Sequence, residues 1–200
     1  PEIRSRFPHL RCRTLLVDGV SAKAEPSGEI ARLVAIADDR LAAASEREFP
    51  EIQAWRRAFT AMGLKPTQYR CASEALLRRY RKEGSLPALH PLIDLCNAAS
   101  LAFAIPVAVF DTSKITGTLI VRLANGDETY ETFSSEIEHP ELGEVIFADD
   151  SARAHARRWT NRQSGWSAVR PETTQALIVG EALHETADTD VTALMASLAG

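Results

Sequence analysis

The pattern of apolar residues changes near residue 106, and this change constrains the fold more than any other feature. Before it, apolar residues recur at the three- and four-residue spacing of amphipathic helices. After it come short segments rich in β-branched and aromatic residues, separated by turn-forming residues. Helices first and clustered strands second do not give the regular alternation of a doubly wound fold. We therefore predict an α+β protein with a mixed or largely antiparallel central sheet that helices cover.

The same two patterns predict the individual elements. Helices are expected at 29–44, 52–62, 72–83, 89–103 and 191–198, and strands at 13–17, 107–110, 119–123, 129–133, 145–148, 153–159 and 176–179. The pair Asn125-Gly126 predicts a hairpin that joins the strands at 119–123 and 129–133. We expect the strands between 107 and 179 to form one sheet, with the helix at 94–103 packed against it.

Length and composition are those of an ordinary folded domain. The 200 residues are 45% hydrophobic and 25% charged, which favours a single domain over 1–200 and a monomer over an oligomer. No run of about 18 apolar residues is present, so we expect no membrane-spanning helix. The charged segment 1–13 lacks the apolar core of a signal peptide, which predicts a cytoplasmic protein.

Several familiar chemistries lack their sequence motifs. The glycine patterns GxGxxG and GxxxxGK[ST] are missing, as are the GxSxG elbow and the HExxH zinc motif. The three cysteines are far apart, and the five histidines are scattered. We therefore predict no disulfide framework, no metal site and no bound cofactor.

Positive charge is concentrated in two blocks although the net charge is −4. The block at 53–82 holds eight basic residues against one acidic residue, and the block at 151–170 holds five basic residues and no acidic one. One interpretation is two solvated faces, and the other is a binding surface for a polyanion. Residues predicted for the second interpretation are Arg56, Arg57, Arg78, Arg79, Arg81, Lys82, Arg158 and Arg162.

The most informative stretch is 92–111, which reads LIDLCNAASLAFAIPVAVFD. Its fixed points, Asp94, Asn97, Pro106 and the pair Phe110-Asp111, resemble the signature of the B3/B4 domain of the phenylalanyl-tRNA synthetase β-subunit. Weaker matches extend the resemblance over about 55–181. The resemblance implies a B3/B4-like fold and a stand-alone relative of an editing domain, without the aminoacylation module.

What the resemblance implies for function is hydrolysis of an ester on tRNA. The synthetase domain removes tyrosine wrongly joined to the terminal adenosine, and stand-alone relatives act in trans on released tRNA. One branch removes the arginine analogue canavanine. The partner implied is a misacylated tRNA, with no membrane. The alternatives are a non-catalytic module that binds an amino acid or a protein partner, and an RNA-binding accessory without a pocket.

Two positions depart from the synthetase pattern. Ala108 stands where the signature has His, and Ala168 stands where it has Glu. In the synthetase those two side chains help to read the tyrosine hydroxyl, and neither alanine can donate or accept a side-chain hydrogen bond. A substrate side chain other than that of tyrosine is therefore expected. If it is cationic, carboxylates must line its pocket, and the candidates are Glu74, Asp94, Glu128 and Asp149.

Candidate site residues are polar groups in apolar surroundings. Asn97 and Asp94 lie on one face of an apolar helix, where the alternative is that they satisfy backbone groups of neighbouring loops. Trp159 is a candidate for stacking on adenine, with core packing as an equal alternative. We expect the segments 70–74, 94–100 and 158–164 to line one pocket. The residues predicted to be catalytic are Asn97, Ser100 and Glu74, and those predicted to bind substrate are Asp94, Arg70, Ser73, Glu128, Asp149, Trp159, Gln163 and Ser164.

Overall fold

A computed structural model describes residues 2–199 as an α+β fold of six α-helices and nine strands within that range. The helices are α1 (Glu2–Arg6), α2 (Ser27–Ala43), α3 (Pro50–Ala61), α4 (Ala72–Glu83), α5 (Pro91–Phe103) and α6 (Ala187–Ala199). The strands are β1 (Arg11–Asp18), β2 (Val107–Asp111), β3 (Ile120–Leu123), β4 (Tyr130–Glu131), β5 (Ile137–Glu138), β6 (Val145–Ala148), β7 (Ala154–Arg157), β8 (Arg162–Gln163) and β9 (Gln175–Ala182).

The predicted helices are confirmed, and their ends follow from local chemistry. Helix α4 ends at Gly84, whose positive φ of 72° is open to glycine at little steric cost. Helix α5 begins with Pro91, after His90, whose ring accepts a hydrogen bond from the Leu92 amide. At its other end the Ser100 hydroxyl donates to the Ile105 carbonyl, at 2.7 Å. Local hydrogen bonds therefore fix both ends of α5.

The expectation of one sheet is wrong, because the strands divide into three. One antiparallel sheet has the order β1-β9-β2, a second has the order β3-β6-β7-β8, and β4 pairs only with β5. Strand periodicity reports which segments are extended but not their partners, since long-range packing decides the pairing. The helix predicted to cover a sheet does so, because α5 packs against β2.

The hairpin predicted at Asn125-Gly126 is also wrong, since β3 pairs with β6 and not with β4. The chain does turn at these residues, but a buried carboxylate stabilises the turn. Glu128 is fully buried, accepts hydrogen bonds from the amides of Asn125 and Gly126, and pairs with Arg122. The chain therefore turns at this point without the strand pairing that a two-residue hairpin needs.

Strand β9 is the centre of the fold, because its two faces serve two cores. Its even-numbered residues from Ala176 to Ala182 pack against α5 and α6, and Ile178 lies in this core. Its odd-numbered residues face the four-stranded sheet, where Val179 shares a core with Phe147 and Ala156. Glu181 lies at one of these odd-numbered positions and is buried on this face of β9.

No helix within residues 2–199 has both the length and the apolar character needed to cross a bilayer.

Candidate functional site

A cavity of about 50 Å³ lies where the two larger sheets meet. Strands β2 and β9 contribute Ala108 and Val179 to its wall, and the facing strands contribute Phe147 and Ala156. The turn after β7 closes one side. The lining residues are Ala72, Pro106, Val107, Ala108, Phe147, Ala156, Trp159, Thr160, Asn161, Arg162, Gln163, Val179 and Glu181. The walls are mainly apolar with a few polar groups, the usual make-up of a small-molecule site.

Glu181 is the carboxyl group on the cavity wall. It is 3% exposed, and its Oε2 accepts a hydrogen bond from Trp159 Nε1 at 2.8 Å. Burial raises the pKa of this carboxyl from 4.5 to about 7, and the Trp159 N–H lowers it by less. Glu181 therefore changes its protonation state near neutral pH.

The turn that carries Trp159 is conformationally strained. Arg158 and Trp159 have φ angles of 47° and 59°, in the left-handed region that side chains other than glycine rarely adopt. The Trp159 ring packs edge-on against Phe7 and Trp55, with centroids 5.0 and 4.9 Å away. Two strained residues in succession persist only where packing holds them, and such strain is concentrated at functional sites.

The buried ring of Trp159 decides between the two interpretations of this residue. None of its surface is exposed, so the prediction that it stacks on adenine is wrong and core packing is right. Its contribution to the cavity is the N–H that Glu181 accepts.

Two of the three segments predicted to share a pocket do meet. Asn161 Nδ2 donates to the Arg70 carbonyl at 2.7 Å, and the Ala72 amide donates to the Thr160 carbonyl at 2.8 Å. These bonds fix the 70–74 segment against the 158–164 segment at the mouth of the cavity. The Thr160 hydroxyl is buried, and no group within residues 2–199 bonds to it.

The third segment lies elsewhere, so the prediction of one pocket lined by all three is wrong. Asp94 and Asn97 line a separate groove of about 450 Å³ between α2, α5 and the loop after α4. Asp94 accepts a hydrogen bond from the Leu89 amide, as expected if it satisfies a neighbouring loop. Helix α5 turns this face away from β2, because its opposite face fills the core. The catalytic role of Asn97 stays a prediction, and Asn97 is not on the cavity wall.

Most other predicted site residues have structural partners. Ser100 holds the end of α5, and Ser164 is buried and donates to the Glu131 carbonyl. Ser73 is buried beside Cys71, and Gln163 donates its amide to the Val109 carbonyl at 2.6 Å. Of these, only Gln163 lines the cavity.

The four acids predicted to line a cationic pocket lie outside the cavity. Glu74 is fully buried and pairs with Arg56 at 2.5 Å and Arg70 at 3.6 Å. Glu128 holds its turn, and Asp94 bonds its loop. For Asp149, burial favours the neutral form, but hydrogen bonds from Thr116, Ser151, Arg153 and His155 outweigh it and lower its pKa to about 2. Each of these carboxylates serves the fold.

Asp149 belongs to a buried constellation that sequence reasoning missed. His155 Nε2 lies 3.2 Å from Asp149 Oδ2, and His155 Nδ1 lies 2.8 Å from Ser167 Oγ. The types resemble a hydrolytic triad, but His155 and Ser167 are completely buried. Burial lowers the pKa of His155, so the ring is neutral. A serine that no substrate reaches is not a nucleophile, and the constellation holds β7 to the 164–168 loop.

One group of side chains within residues 2–199 has metal-ligand geometry: Glu51, His184 and Asp190. Both oxygens of Glu51 already accept hydrogen bonds from Arg40, at 2.8 and 2.9 Å. His184 Nε2 lies 2.8 Å from Asp190 Oδ2. Because a guanidinium supplies the positive charge here, this cluster does not fit a metal ion.

The predicted tRNA-binding residues divide by whether an acid neutralises them. Arg78 and Arg81 both pair with the fully buried Glu46, and Arg79 pairs with Glu83. Arg56 pairs with Glu74, and Arg162 pairs with Glu138. Within residues 2–199, no acid lies within 4.0 Å of the charged groups of Arg57, Lys82 or Arg158, and Arg158 stacks on Tyr69.

Sequence reasoning missed Glu181, although a signal was present. It is the one acid in β9, whose sequence QALIVGEA is otherwise almost entirely apolar. Strand β9 pairs with one strand on each side, so it is a central strand and not an edge strand. An acid in an apolar central strand is enclosed. That observation would have placed Glu181 among the candidates.

Comparison with known proteins places most of the chain in one family. The model of the B3/4 domain family matches residues 54–194. The beta subunit of a phenylalanine–tRNA ligase from Shewanella oneidensis is 27% identical over 117 residues, or 58% of this chain. The chain spans 14% of that relative's length. An N-terminal fragment of the phenylalanyl-tRNA synthetase beta-subunit from Pyrococcus horikoshii aligns over 94% of this chain and 73% of its own, with 11% identity and a TM-score of 0.45.

Proposed function

The chain belongs to the B3/4 domain family, and on that premise we propose that it is a hydrolase that acts in trans on misacylated tRNA. The bond cleaved is the ester between a wrongly attached amino acid and the terminal adenosine. The observation that carries the proposal is the cavity between the sheets, which has mainly apolar walls, lining residues from both basic blocks, and Ala108 on its wall.

Ala108 connects the cavity with the resemblance. The synthetase signature has His at this position, where it helps to read a tyrosine hydroxyl. Here a methyl group lines the cavity instead, which leaves room for another side chain. Ala168 is 7% exposed and lies outside the cavity, so the room predicted at that position is not part of this site.

The chemistry requires little machinery. The ester is more reactive than an amide, so a held water and a donor for the developing oxyanion supply much of the rate. The Thr160 hydroxyl, buried on the cavity wall without a partner, is the donor we assign to the carbonyl oxygen. A ribose hydroxyl beside the ester assists in moving protons. No Ser-His-Asp set or metal is needed.

Within this class, an arginine analogue such as canavanine is the substrate that the resemblance puts forward. A panel of tRNAs charged with different amino acids, including canavanine and tyrosine, tests this by measuring ester loss. We expect one or a few of these esters to be hydrolysed and the tyrosyl ester to be spared. A protein that binds a free amino acid and hydrolyses none of the esters would instead be the non-catalytic module.

Binding of tRNA should depend on the cations that lack internal partners. We expect the triple variant Arg57→Ala, Lys82→Ala, Arg158→Ala to bind tRNA more weakly. The slope of log affinity against log salt should fall by about one for each phosphate that is no longer neutralised. Filter binding at several salt concentrations measures both quantities. The exposed Lys23, outside both basic blocks, supplies the control Lys23→Ala, and equal slopes in both variants would contradict this assignment.

The cluster Arg78, Arg79 and Arg81 is a poor choice for the same experiment, although the charge pattern of the sequence favours it. Arg78 and Arg81 are the partners of the fully buried Glu46, so their removal leaves a buried charge unpaired. Breaking such a pair is costly to stability. A variant that replaces all three arginines would therefore combine partial unfolding with weaker tRNA binding, and the two effects could not be separated.

A further inference from the structure

The buried carboxyl groups of this protein differ in the number of hydrogen-bond donors around them. Glu128 accepts hydrogen bonds from two backbone amides and pairs with Arg122. Asp149 accepts from the amides of Thr116, Ser151 and Arg153. In both groups these donors outweigh burial, and the pKa lies below its ordinary value. The carboxylates that stay ionised, Glu128 and Asp149, are therefore each surrounded by several hydrogen-bond donors.

Glu181 has fewer such donors. Its carboxyl accepts one hydrogen bond, from Trp159 Nε1 to Oε2, and no other donor within residues 2–199 bonds to it. The charged and titratable groups around it are few. Cys12 on the neighbouring strand has its pKa raised to about 11 by burial and so stays neutral, and Arg4 on α1 acts only through its charge. Arg162 lies on the same cavity wall.

We propose that Glu181 is the group that takes a proton from the attacking water in the cavity and returns it to the leaving group. This inference rests on the proposed function, because it assigns a role within the same reaction. It follows from three features: a place on the cavity wall, an orientation fixed by Trp159, and an environment that does not hold the carboxyl permanently ionised.

The step balances without an additional reagent. Ionised Glu181 accepts a proton from water as the water oxygen bonds to the ester carbonyl carbon. The tetrahedral intermediate collapses as the bond to the ribose oxygen breaks, and protonated Glu181 gives its proton to that oxygen. The products are the free amino acid and a tRNA with its terminal hydroxyl restored, and Glu181 is ionised again.

A competing use for the same carboxyl is to anchor a cationic substrate side chain. An anchor binds a cation most tightly when it is already ionised, and Glu128 and Asp149 show how this fold achieves that state. Glu181 lacks those donors, and its pKa near 7 is instead the value at which a group exchanges protons most effectively at neutral pH. The two uses differ in measurable ways.

The test compares the pH dependence of ester loss for the native protein and for Glu181→Gln. Gln keeps the size of the side chain and an oxygen that accepts the Trp159 N–H. For the native protein, we expect the rate above the buffer blank to rise with pH through about 7 and then level off, because only ionised Glu181 accepts a proton. The variant should be about 100-fold slower, the scale of losing a general base, and should lack this inflection.

Glu181→Gln also controls for ionisation of the substrate, because a titrating aminoacyl group changes the rates of both proteins alike. Thermal unfolding tests whether the variant folds. Its pH dependence also reports on the ionisation of Glu181 without an activity assay. Folding raises the pKa of Glu181, so ionising it disfavours the folded state as pH rises from about 4.5 to about 7. Relative to the native protein, Glu181→Gln should therefore gain more in Tm at pH 8 than at pH 5.

A second variant, Trp159→Phe, removes the N–H that favours the ionised form, so the inflection should move to higher pH. If the native protein hydrolyses an ester and Glu181→Gln keeps its rate and inflection, the proton-transfer role is wrong while the proposed function stands. If Glu181→Gln only changes the preference between cationic and neutral amino acids, the carboxyl is an anchor. If the native protein hydrolyses none of the esters, both the proposed function and this inference are wrong.

Discussion

Replacing Ala108 with phenylalanine should reduce deacylation of misacylated tRNA to the rate in buffer, a loss of about 100-fold or more. The half-buried methyl group of Ala108 faces the cavity, and a phenyl ring there occupies the space for the aminoacyl group. Displacing a reacting ester by about 1 Å already costs on the order of 100-fold in rate. Single-turnover ester loss measures the effect.

The matched control is Ala31→Phe. Ala31 is exposed on α2 and lines the groove that contains Asn97, so the same ring there fills the other candidate site. We expect Ala31→Phe to keep its activity and both variants to keep their affinity for tRNA. The opposite result, with activity lost in Ala31→Phe and in Asn97→Ala, would move the reaction centre to the groove.

Replacing Arg157 with methionine should lower the free energy of unfolding by about 3–5 kcal/mol, the range for removing one partner of a buried ion pair. Arg157 is 4% exposed, and its guanidinium donates to Glu144 at 2.9 and 2.8 Å and to Glu138 at 2.5 Å. Without it, Glu144 is enclosed next to the cavity-forming turn with the amides of Arg158 and Glu141 as its remaining donors. Urea unfolding at pH 7 measures the loss.

The pH dependence of that loss has a definite sign. Burial alone would raise the pKa of Glu144, but the hydrogen bonds and charge of Arg157 outweigh it, and the pKa is lowered in the folded protein. The stabilisation is therefore present above the ordinary carboxyl pKa and disappears as pH falls through the folded value. The double variant Arg157→Met, Glu144→Gln should regain part of the stability. An equal loss at pH 7 and at pH 3 would contradict an electrostatic origin.

The sequence predicted most of the local structure, although not helix α1 or strands β5 and β8, and it did not predict the strand pairing. Helices α4 and α5 were predicted because their periodicity, Gly84 and Pro91 are local signals. The single sheet was wrong because β9 takes β1 and β2 as its partners, a choice made by contacts far apart in sequence. The hairpin at Asn125-Gly126 was wrong because Glu128 holds that turn in another way.

The candidate site was predicted in part for the same reason. Segments 70–74 and 158–164 were singled out because each carries polar residues amid apolar ones. One side-chain and one backbone hydrogen bond do join them. The same criterion selected Asn97, yet the helix directs it into a different groove. Which polar residues of an apolar segment face a cavity depends on how the sheets pack. Glu181 could have been singled out as the one acid of an apolar strand, but its place on the cavity wall follows from that packing.

The most direct test of the account is the rate of ester loss from misacylated tRNA with the protein in excess. We expect at least one non-cognate ester to disappear about 100-fold faster or more than in buffer, the scale that a single oxyanion donor supplies. The product should be intact tRNA that can be charged again, and Ala108→Phe should restore the buffer rate. Identical decay with and without the protein, for every amino acid tried, would contradict the account.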